Sequence, residues 1–372
     1  MIKKFPILYS RTSKGQIQQW QIFYENDRFW TVEGIKDGQL TTSKPTICTS
    51  KNEGKANETS PDEQSLLEAS AKFKKKLEAD YHLDVKDIDK ERFIPVMLAH
   101  KWEDYKNDVD WSNGVYVSPK MDGLRAVITE KSATSRNGKV FVSFPHILRE
   151  LQSLLKNYPG LALDGEIYCD RLNNNFEKII SLAKKTKPTS EDLVESEKYL
   201  EYHIFDSPTI EGNFHNRFTY LRKLILDNLP NNKWIKVCKH TLITSSSEIE
   251  EKLQEYIAAG YEGLMLNTYE GEYQGKRSKH LLKYKLFFDI EAEITGIIEG
   301  TGGRSGMFGY AQLKLKNGKT FDANARGDEE LYRNILKNKS KLVGKMATVR
   351  YQNLTSDGIP RFPVIVDFNR FD

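Results

Sequence analysis

Residues 120–125 have the sequence Lys-Met-Asp-Gly-Leu-Arg and join two stretches that alternate like β-strands. Val115-Tyr116-Val117 leads into the segment, and the apolar residues Leu124, Ala126 and Ile128 follow it at every second position. An Asp-Gly pair between such stretches is typical of a tight hairpin turn. The pattern therefore predicts paired strands that bring a lysine, a carboxylate and a guanidinium close together.

These three groups suit chemistry at a phosphate. A lysine amine becomes a covalent nucleophile once it loses its proton, which nearby cations or a metal promote. Arg125 has the planar donor geometry that grips a phosphate. The alternative is an ordinary solvated hairpin, so this segment alone suggests a reactive site without establishing one.

Five further segments follow in chain order. They are residues 135–138 (SRNG), 163–166 (LDGE), 202–206 (YHIFD), 262–265 (EGLM) and 282–285 (LKYK). Together with residues 120–125 they resemble, in order and spacing, the motifs of the covalent nucleotidyltransferase superfamily of ATP-dependent DNA ligases, RNA ligases and mRNA capping enzymes. The resemblance covers about residues 93–372 and implies a small, virus-type ATP-dependent DNA ligase.

The resemblance implies that Lys120 attacks the α-phosphorus of ATP, expels pyrophosphate and holds AMP through a phosphoramidate bond. Lys283 and Lys285 are two residues apart in an expected strand, so both amines should point to one face. The resemblance directs that face to the α-phosphate. An exposed strand with ordinary basic residues is the alternative for this pair.

Three further residues of the motifs are implied to bind the nucleotide and its metal. Glu166 is expected to contact the ribose, and Phe205 to stack on adenine, although it could instead be a core aromatic. Glu262 is expected to hold Mg²⁺ or Mn²⁺, because a carboxylate near phosphates needs a cationic or hydroxyl partner.

Four arginines are expected to contact phosphates or DNA. Arg125 and Arg136 would grip phosphates of the nucleotide and the 5′ phosphate of a nick. Arg361 and Arg370 lie in a C-terminal stretch that resembles the last motif of the family, but the customary lysine after Asp372 is absent. Arg361 could equally be a DNA contact or an exposed barrel residue.

The implied partner is nicked double-stranded DNA, sealed by a monomer through lysyl-AMP and DNA-adenylate intermediates. An RNA ligase, a capping enzyme or another polynucleotide nucleotidyltransferase is an alternative within the superfamily. A non-catalytic nucleic-acid-binding protein on the same scaffold is an alternative of another class. NAD as the AMP donor is disfavoured, because the zinc cluster and extra domains of NAD-dependent ligases have no counterpart in the sequence.

Composition gives weaker constraints. The net charge of +4 arises from 56 basic and 52 acidic residues, so the distribution of charge is more informative than its sum. Residues 276–285 and 331–351 contain five and six basic residues without an acid, which fits a polyanion-facing surface or merely a solvated one. Three dispersed cysteines and no membrane-length apolar run favour a cytoplasmic protein without a membrane partner. A viral source is implied only by the resemblance to virus-type ligases.

We predict an α+β multidomain chain with three domains. Residues 91–288 should form a nucleotidyltransferase domain, an ATP-grasp-like adenylation domain of antiparallel sheets with helices near 146–157, 176–186, 214–228 and 246–259. Residues 289–372 should form an OB-fold β-barrel, since one strand-like stretch precedes and four follow a glycine-rich loop that lacks a phosphate-binding lysine.

The remaining residues 1–90 should form a small DNA-binding-like domain. Alternation around Trp20 and Trp30 predicts an antiparallel sheet, and Ser60-Pro61-Asp62-Glu63 predicts the start of a helix over 61–79. Its outer face carries lysines 74–76. This sheet-plus-helix module resembles the WGR type of DNA-acting proteins, although the Trp-Gly-Arg signature is missing; a basic surface helix without a ligand is the alternative.

Overall fold

The computed structural model describes residues 2–79, 81–90, 93–172, 175–355 and 357–370 of the 372-residue chain, with the side chains of residues 369 and 370 excepted. The chain divides into two compact units. The N-terminal unit comprises residues 1–94 with 137–139, and the large unit comprises residues 95–136 with 140–372.

The N-terminal unit is an antiparallel sheet covered on one face by a helix. Its strands are β1 (Lys3–Lys4), β2 (Leu8–Arg11), β3 (Ile17–Glu25), β4 (Arg28–Ile35), β5 (Leu40–Thr42) and β6 (Thr46–Ile47). Leu8, Trp20, Ile22 and Phe29 form the core with Ala69 of the helix α1 (Pro61–Glu78). The alternation predicted around Trp20 is therefore a buried sheet face.

Helix α1 begins at the predicted residue because its first turn is fully capped. The Ser60 hydroxyl accepts a hydrogen bond from the Glu63 amide (3.3 Å), and the Glu63 carboxylate accepts one from the Ser60 amide (2.9 Å). Pro61 occupies the first helical position, where a missing amide hydrogen costs nothing. Local sequence chemistry is sufficient to set this boundary.

The first part of the large unit contains two five-stranded sheets. The first has the order β10-β9-β11-β12-β13 and the second the order β14-β8-β15-β16-β7. The strands are β7 (Leu98–Lys101), β8 (Val115–Lys120), β9 (Leu124–Thr129), β10 (Ala133–Ser135), β11 (Ala162–Tyr168), β12 (Glu201–Asp206), β13 (Ile235–Val237), β14 (Thr241–Ile243), β15 (Gly263–Thr268) and β16 (Arg277–Lys285). Pairing is antiparallel, as predicted, except that edge strands β13 and β7 run parallel to their neighbours.

Helices cover the outer faces of these sheets. They are α2 (Trp102–Tyr105), α3 (Pro145–Asn157), α4 (Phe176–Ala183), α5 (Ser190–Tyr199), α6 (Phe214–Asn228) and α7 (Glu248–Ala258). Helices α3, α4 and α6 contribute to the core of the first sheet, and α7 to that of the second. The four predicted helices are present within a few residues of their expected ends, whereas α5 was not predicted because it has few apolar residues.

The last part of the large unit is a closed five-stranded barrel, as predicted. Its strands are β17 (Phe288–Glu299), β18 (Phe308–Lys314), β19 (Thr320–Ala325), β20 (Met346–Tyr351) and β21 (Val364–Arg370). The glycine-rich loop connects β17 to β18. Two helices, α8 (Glu329–Lys337) and α9 (Lys339–Leu342), lie between β19 and β20 and were not predicted.

Across the described residues, none of the helices combines the length and the hydropathy that crossing a membrane requires.

Candidate active site

Lys120 is the last residue of β8, at the point where the chain turns toward β9. The turn contains Gly123, where a Cβ atom would lie 2.7 Å from Cγ of Glu166. Such a contact is too short for any other residue, so glycine allows the turn to lie directly against β11. The predicted strand–turn–strand arrangement thus places Lys120 beside Glu166.

Lys120 and Lys285 bind the two oxygens of one carboxylate. The Lys120 amine donates to Oε2 of Glu262, and the Lys285 amine donates to Oε1. The register explains this arrangement, because Gly263 of β15 pairs with Lys120 on one side and with Lys285 on the other. Glu262 immediately precedes Gly263 and so lies between the two lysines.

The side chains of this triad are largely buried, with exposed fractions of 20% for Lys120, 8% for Glu262 and 18% for Lys285. Burial alone would raise the pKa of Glu262, but Lys120 and Lys285 together lower it below its ordinary value. Burial and then the charge of Lys120 lower the pKa of Lys285. The pKa of Lys283 is also lowered, by burial and then by Lys285.

A cavity of about 230 Å³ lies beside the triad, between the two sheets. Six of the residues predicted from the sequence line this cavity: Lys120, Arg125, Arg136, Glu166, Phe205 and Lys283. Further lining residues include Met97, Ser118, Asp164, Cys238, His240, Met265, Asn267 and Tyr273. The structure thus brings most of the predicted cationic, acidic and aromatic groups to one cavity, whereas Glu262 and Lys285 are not among its lining residues.

Glu166 differs electrostatically from Glu262. It is half-buried, and its carboxyl has no hydrogen-bond partner among the described residues. Burial raises the pKa of Glu166 to about 7, although Lys120 and Arg125 favour the charged form. Glu166 therefore changes its charge near neutral pH and is available to a ligand.

Arg125 is largely engaged with the protein. Its Nε and Nη2 donate to the two oxygens of Asp164 at 2.9 and 2.5 Å, and Nη1 donates to the Met97 carbonyl oxygen at 2.7 Å. Its guanidinium carbon lies 5.3 Å from the Phe205 ring centroid. The Tyr273 hydroxyl donates to the same Asp164 carboxylate at 2.7 Å. Three of the five Arg125 donors thus build the cavity wall, which leaves fewer for a phosphate.

Arg361 connects the barrel part of the large unit to the turn after Lys120. Its Nη1 donates to Oδ2 of Asp122 at 2.7 Å, and its guanidinium lies 4.6 Å from the Phe176 ring centroid. Arg361 is therefore not an exposed barrel residue, which corrects that alternative. Arg370 ends β21, and its side chain lies outside the described residues.

Sequence reasoning missed several groups that shape the cavity. Tyr273 and His240 belong to none of the motifs, and Asp164 lies in the motif of residues 163–166, where only Glu166 was given a role. These residues are recognised only in the folded structure, where they line the cavity. Asp164 has no exposed surface. Acidic groups are rarely buried without a partner, and the partners of Asp164 are Arg125 and Tyr273.

One group of three possible metal ligands lies elsewhere in the described part of the large unit. Asp170, Glu201 and His203 have ligand atoms within 4.8 Å of one another. Lys236 already bridges the two carboxylates, at 2.9 Å from Asp170 and 2.7 Å from Glu201. The Lys236 ammonium group thus occupies the position between the carboxylates where a metal ion would bind.

Comparison with known proteins decides the family. Residues 96–285 match the family described as ATP dependent DNA ligase domain, and residues 299–368 match the DNA ligase OB-like domain. The chain belongs to the ATP-dependent DNA ligase family. These matches confirm the predicted enzyme class and the predicted OB-fold, and they favour a DNA ligase over the RNA-ligase and capping alternatives.

Individual relatives of this ligase are distant. A DNA ligase of Haemophilus influenzae is 24% identical over 272 residues, which are 72% of this chain and 89% of that protein. A DNA ligase of Archaeoglobus fulgidus is 28% identical over 203 residues, but only 35% of its length is covered.

Solved structures agree on the fold. A structure from a structure–function analysis of Lig E DNA ligases, described as binding DNA with a minimal scaffold, is 25% identical with a TM-score of 0.61. The match covers 74% of this chain and 98% of that one. A structure named Pmar-Lig_PreS3 is 21% identical with a TM-score of 0.62, and the match covers 82% of this chain and 71% of that one.

Proposed function

We propose that Lys120 is the nucleophile of this ATP-dependent ligase and that it carries AMP. The observation that supports this most directly is the triad in which Lys120 and Lys285 share Glu262, because Lys120 also lines the cavity. Once the Lys120 ammonium has lost a proton to solvent, its nitrogen attacks the α-phosphorus of ATP. An N–P bond forms, the P–O bond to pyrophosphate breaks, and pyrophosphate leaves with that electron pair. Glu262 orients the amine through its hydrogen bond, which favours attack by positioning.

Lys283 and Lys285 compensate the charge of the α-phosphate during the transfer. Both belong to β16, two residues apart, and the pKa of each is lowered by burial and neighbouring cations. A site with surplus positive charge lowers its electrostatic energy when a phosphate enters. Preorganised cations of this kind stabilise the charge that develops on the transferred group.

Glu166 and Phe205 bind the nucleoside in this proposal. Among the residues that the structure describes, Glu166 makes no side-chain hydrogen bond that it would have to lose, which suits a hydrogen bond with a ribose hydroxyl. Phe205 lines the same cavity and can stack on the base. Arg125 stiffens the wall behind Phe205 and keeps two free N–H donors for a phosphate.

Glu262 fits the proposed role of a ligand to Mg²⁺ or Mn²⁺ in its chemistry, since its carboxylate is ionised and already surrounded by cations. When bound, the metal would supply charge neutralisation at the phosphates. Within the protein, Glu262 holds Lys120 and Lys285 in place through its two oxygens.

We propose nicked duplex DNA as the second substrate and a monomeric, cytoplasmic enzyme. AMP passes from Lys120 to the 5′ phosphate of the nick, and attack by the 3′ hydroxyl then seals the strand and releases AMP. Arg136 lines the cavity and would contact the 5′ phosphate. DNA contacts by Arg361 and Arg370, and a viral origin, stay predictions.

The N-terminal unit is proposed to add DNA contacts through exposed lysines of α1. Lys74 and Lys75 are exposed, whereas Lys76 lies over the Trp20 ring at 5.3 Å. Replacing both exposed lysines by glutamine should weaken binding to a nicked duplex and reduce the slope of log affinity against log salt by up to about 2. The matched control replaces exposed Lys14 and Lys44. Equal slopes for the two variants would contradict this role.

The nucleophile is tested by label transfer from α-labelled ATP to the protein. Lys120→Ala should abolish the transfer, and Lys120→Arg, which keeps the charge but cannot form the adduct, should abolish it as well. Lys279→Ala, a substitution of an exposed lysine in β16, is the control and should retain full labelling. Persistent labelling of the Lys120 variants would rule out the assignment.

A further inference from the structure

Residues 135–139 form the loop of a hairpin, and this loop carries Arg136. The hairpin is closed directly after β10 by the pairing of Thr134 with Val140. Arg136 is exposed, lines the cavity and makes no side-chain hydrogen bond or ion pair with the residues that the structure describes. The direction of its guanidinium group therefore depends on the conformation of the loop backbone.

The three residues that follow Arg136 belong to the N-terminal unit, whereas the rest of the hairpin belongs to the large unit. Gly138 has a φ of +76°, and an added Cβ atom would lie 2.9 Å from Cγ of Phe93 and closer still to Cδ1. Any other residue would both strain the backbone and overlap the aromatic ring. The loop is therefore fitted against Phe93 at a position that requires glycine.

An ion pair holds the same end of the loop. The Lys139 amine lies 2.9 Å from Oε2 of Glu78, the last residue of α1, and its hydrogen bond lowers the pKa of Glu78. The two side chains are 60% and 34% exposed, and exposed ion pairs contribute little to stability. We therefore expect the packing of Gly138 against Phe93 to hold the loop more firmly than the ion pair.

The end of α1 connects this loop to the surface that is proposed to contact DNA. Lys74 and Lys75 lie one turn before Glu78 and also lower its pKa. One helix therefore carries both the lysines proposed to bind the duplex and the carboxylate that binds Lys139. The position of the loop and the proposed grip on DNA are thus set by the same unit.

We propose that Phe93 and Gly138 are positioning residues for the step in which AMP passes to the nick. By fixing the backbone next to Arg136, they direct its guanidinium group to the 5′ phosphate. An oxygen of that phosphate attacks the phosphorus of the AMP on Lys120. A P–O bond forms, the N–P bond breaks, and its electron pair returns to the Lys120 nitrogen, which takes up a proton from solvent. The inference rests on the proposed function and gives the N-terminal unit a role in the rate of this step, besides affinity for DNA.

The test starts from enzyme that already carries labelled AMP and follows the transfer of the label to a nicked duplex in a single turnover. Gly138→Ala should lower the maximal rate about 10-fold, since misplacing a reacting group by about 1 Å costs up to about 100-fold and the loop relaxes in part. The DNA concentration at half the maximal rate should change less than about 2-fold, because the contacts that bind DNA are unaltered. Replacing Lys74 and Lys75 by glutamine should instead raise this concentration.

Gly15→Ala is the matched control. Gly15 of the N-terminal unit has a φ of +82°, but an added Cβ atom there would meet no non-neighbouring heavy atom within 4 Å. This variant shares the backbone strain of Gly138→Ala without the overlap and should keep the wild-type rate.

Substitutions of Phe93 test the contact from its other side. Phe93→Ala should slow the transfer as Gly138→Ala does, whereas Phe93→Tyr, which keeps the ring, should retain most of the rate. The double variant of Phe93→Ala and Gly138→Ala should be no slower than the slower single variant, because both changes act through one contact.

Only molecules that have accepted AMP are followed, so unfolded protein does not enter the measured rate. Arg136→Ala should slow the same transfer at least as much as Gly138→Ala. Equal maximal rates for Gly138→Ala and Gly15→Ala, or a wild-type rate for Arg136→Ala, would overturn the inference. Failure of the wild type to take label from ATP would instead contradict the proposed function.

Discussion

The large unit contains two lysine–carboxylate clusters with opposite composition. In the Lys120 triad (Lys120, Glu262, Lys285) two lysines share one carboxylate. In the Lys236 bridge two carboxylates, those of Asp170 and Glu201, share one lysine. Two positive charges and one negative charge give the triad a formal charge of +1, whereas one positive and two negative charges give the bridge −1.

The clusters also differ in exposure. The triad side chains are between 8% and 20% exposed. In the bridge, Lys236 is 40% and Asp170 is 47% exposed, and only Glu201, at 16%, is as buried as the triad. Charge interactions are stronger away from water, so a surplus charge matters more in the triad. The sign of the surplus and its burial, rather than the presence of ion pairs, distinguish a phosphate site from a solvated network.

The largest expected difference between the two clusters is in the rate of label transfer when Lys285 of the triad or Lys236 of the bridge is replaced. Lys285→Ala should reduce label transfer from ATP on the order of 100-fold, since removing one preorganised donor typically costs that much. Lys236→Ala should change the same rate less than about 2-fold, because Lys236, Asp170 and Glu201 do not line the cavity. The measurement is the rate of protein labelling at saturating ATP.

Both variants need a check on folding, since Lys285→Ala leaves Glu262 with Lys120 alone and Lys236→Ala leaves Asp170 and Glu201 without a lysine partner. Glu262 is buried, so Lys285→Met, which keeps the aliphatic stem, separates lost packing from lost charge. A slow Lys236→Ala enzyme with an intact fold would show that the bridge also contributes to catalysis. The distinction between the two clusters would then fail.

Local sequence patterns predicted the part of the site that depends on strand geometry. Lys283 and Lys285 were expected on one face of a strand because side chains alternate, and both lie in β16. The pairing of Lys120 with Glu262 could not be predicted in this way. It depends on β15 lying between β8 and β16, which is a long-range register.

The missed helices show a different limit. Helix α5 has few apolar residues, and α8 lies in a stretch that was interpreted only through its basic charge. Each nevertheless has a capping residue at its start, Thr189 and Asp328 respectively. Capping signals would have located these helices, whereas the contact between Gly138 and Phe93 is seen only in the folded chain.

The last prediction contrasts the pH dependence of stability at Glu166, beside the triad, and at Glu201 in the bridge. Burial raises the pKa of Glu166 to about 7, so the folded state keeps a proton that the unfolded state loses above about pH 4.5. Its contribution to stability therefore falls as the pH rises from about 4.5 to 7. This difference in pKa corresponds to a change in the free energy of unfolding of at most about 3 kcal/mol. Because Glu166 is partly exposed, we expect a change of about 1–2 kcal/mol.

Glu201 should behave in the opposite sense. Burial alone would raise its pKa, but His203 and Lys236 lower it below the ordinary value. Its stabilising contribution is therefore present above about pH 4.5 and is lost as the pH falls through its folded value. Denaturant unfolding of the wild type, Glu166→Gln and Glu201→Gln across this range measures both effects. Glu166→Gln should remove a decline in stability toward neutral pH, and Glu201→Gln should remove a decline toward acid; parallel curves would show that the two carboxyls share one environment.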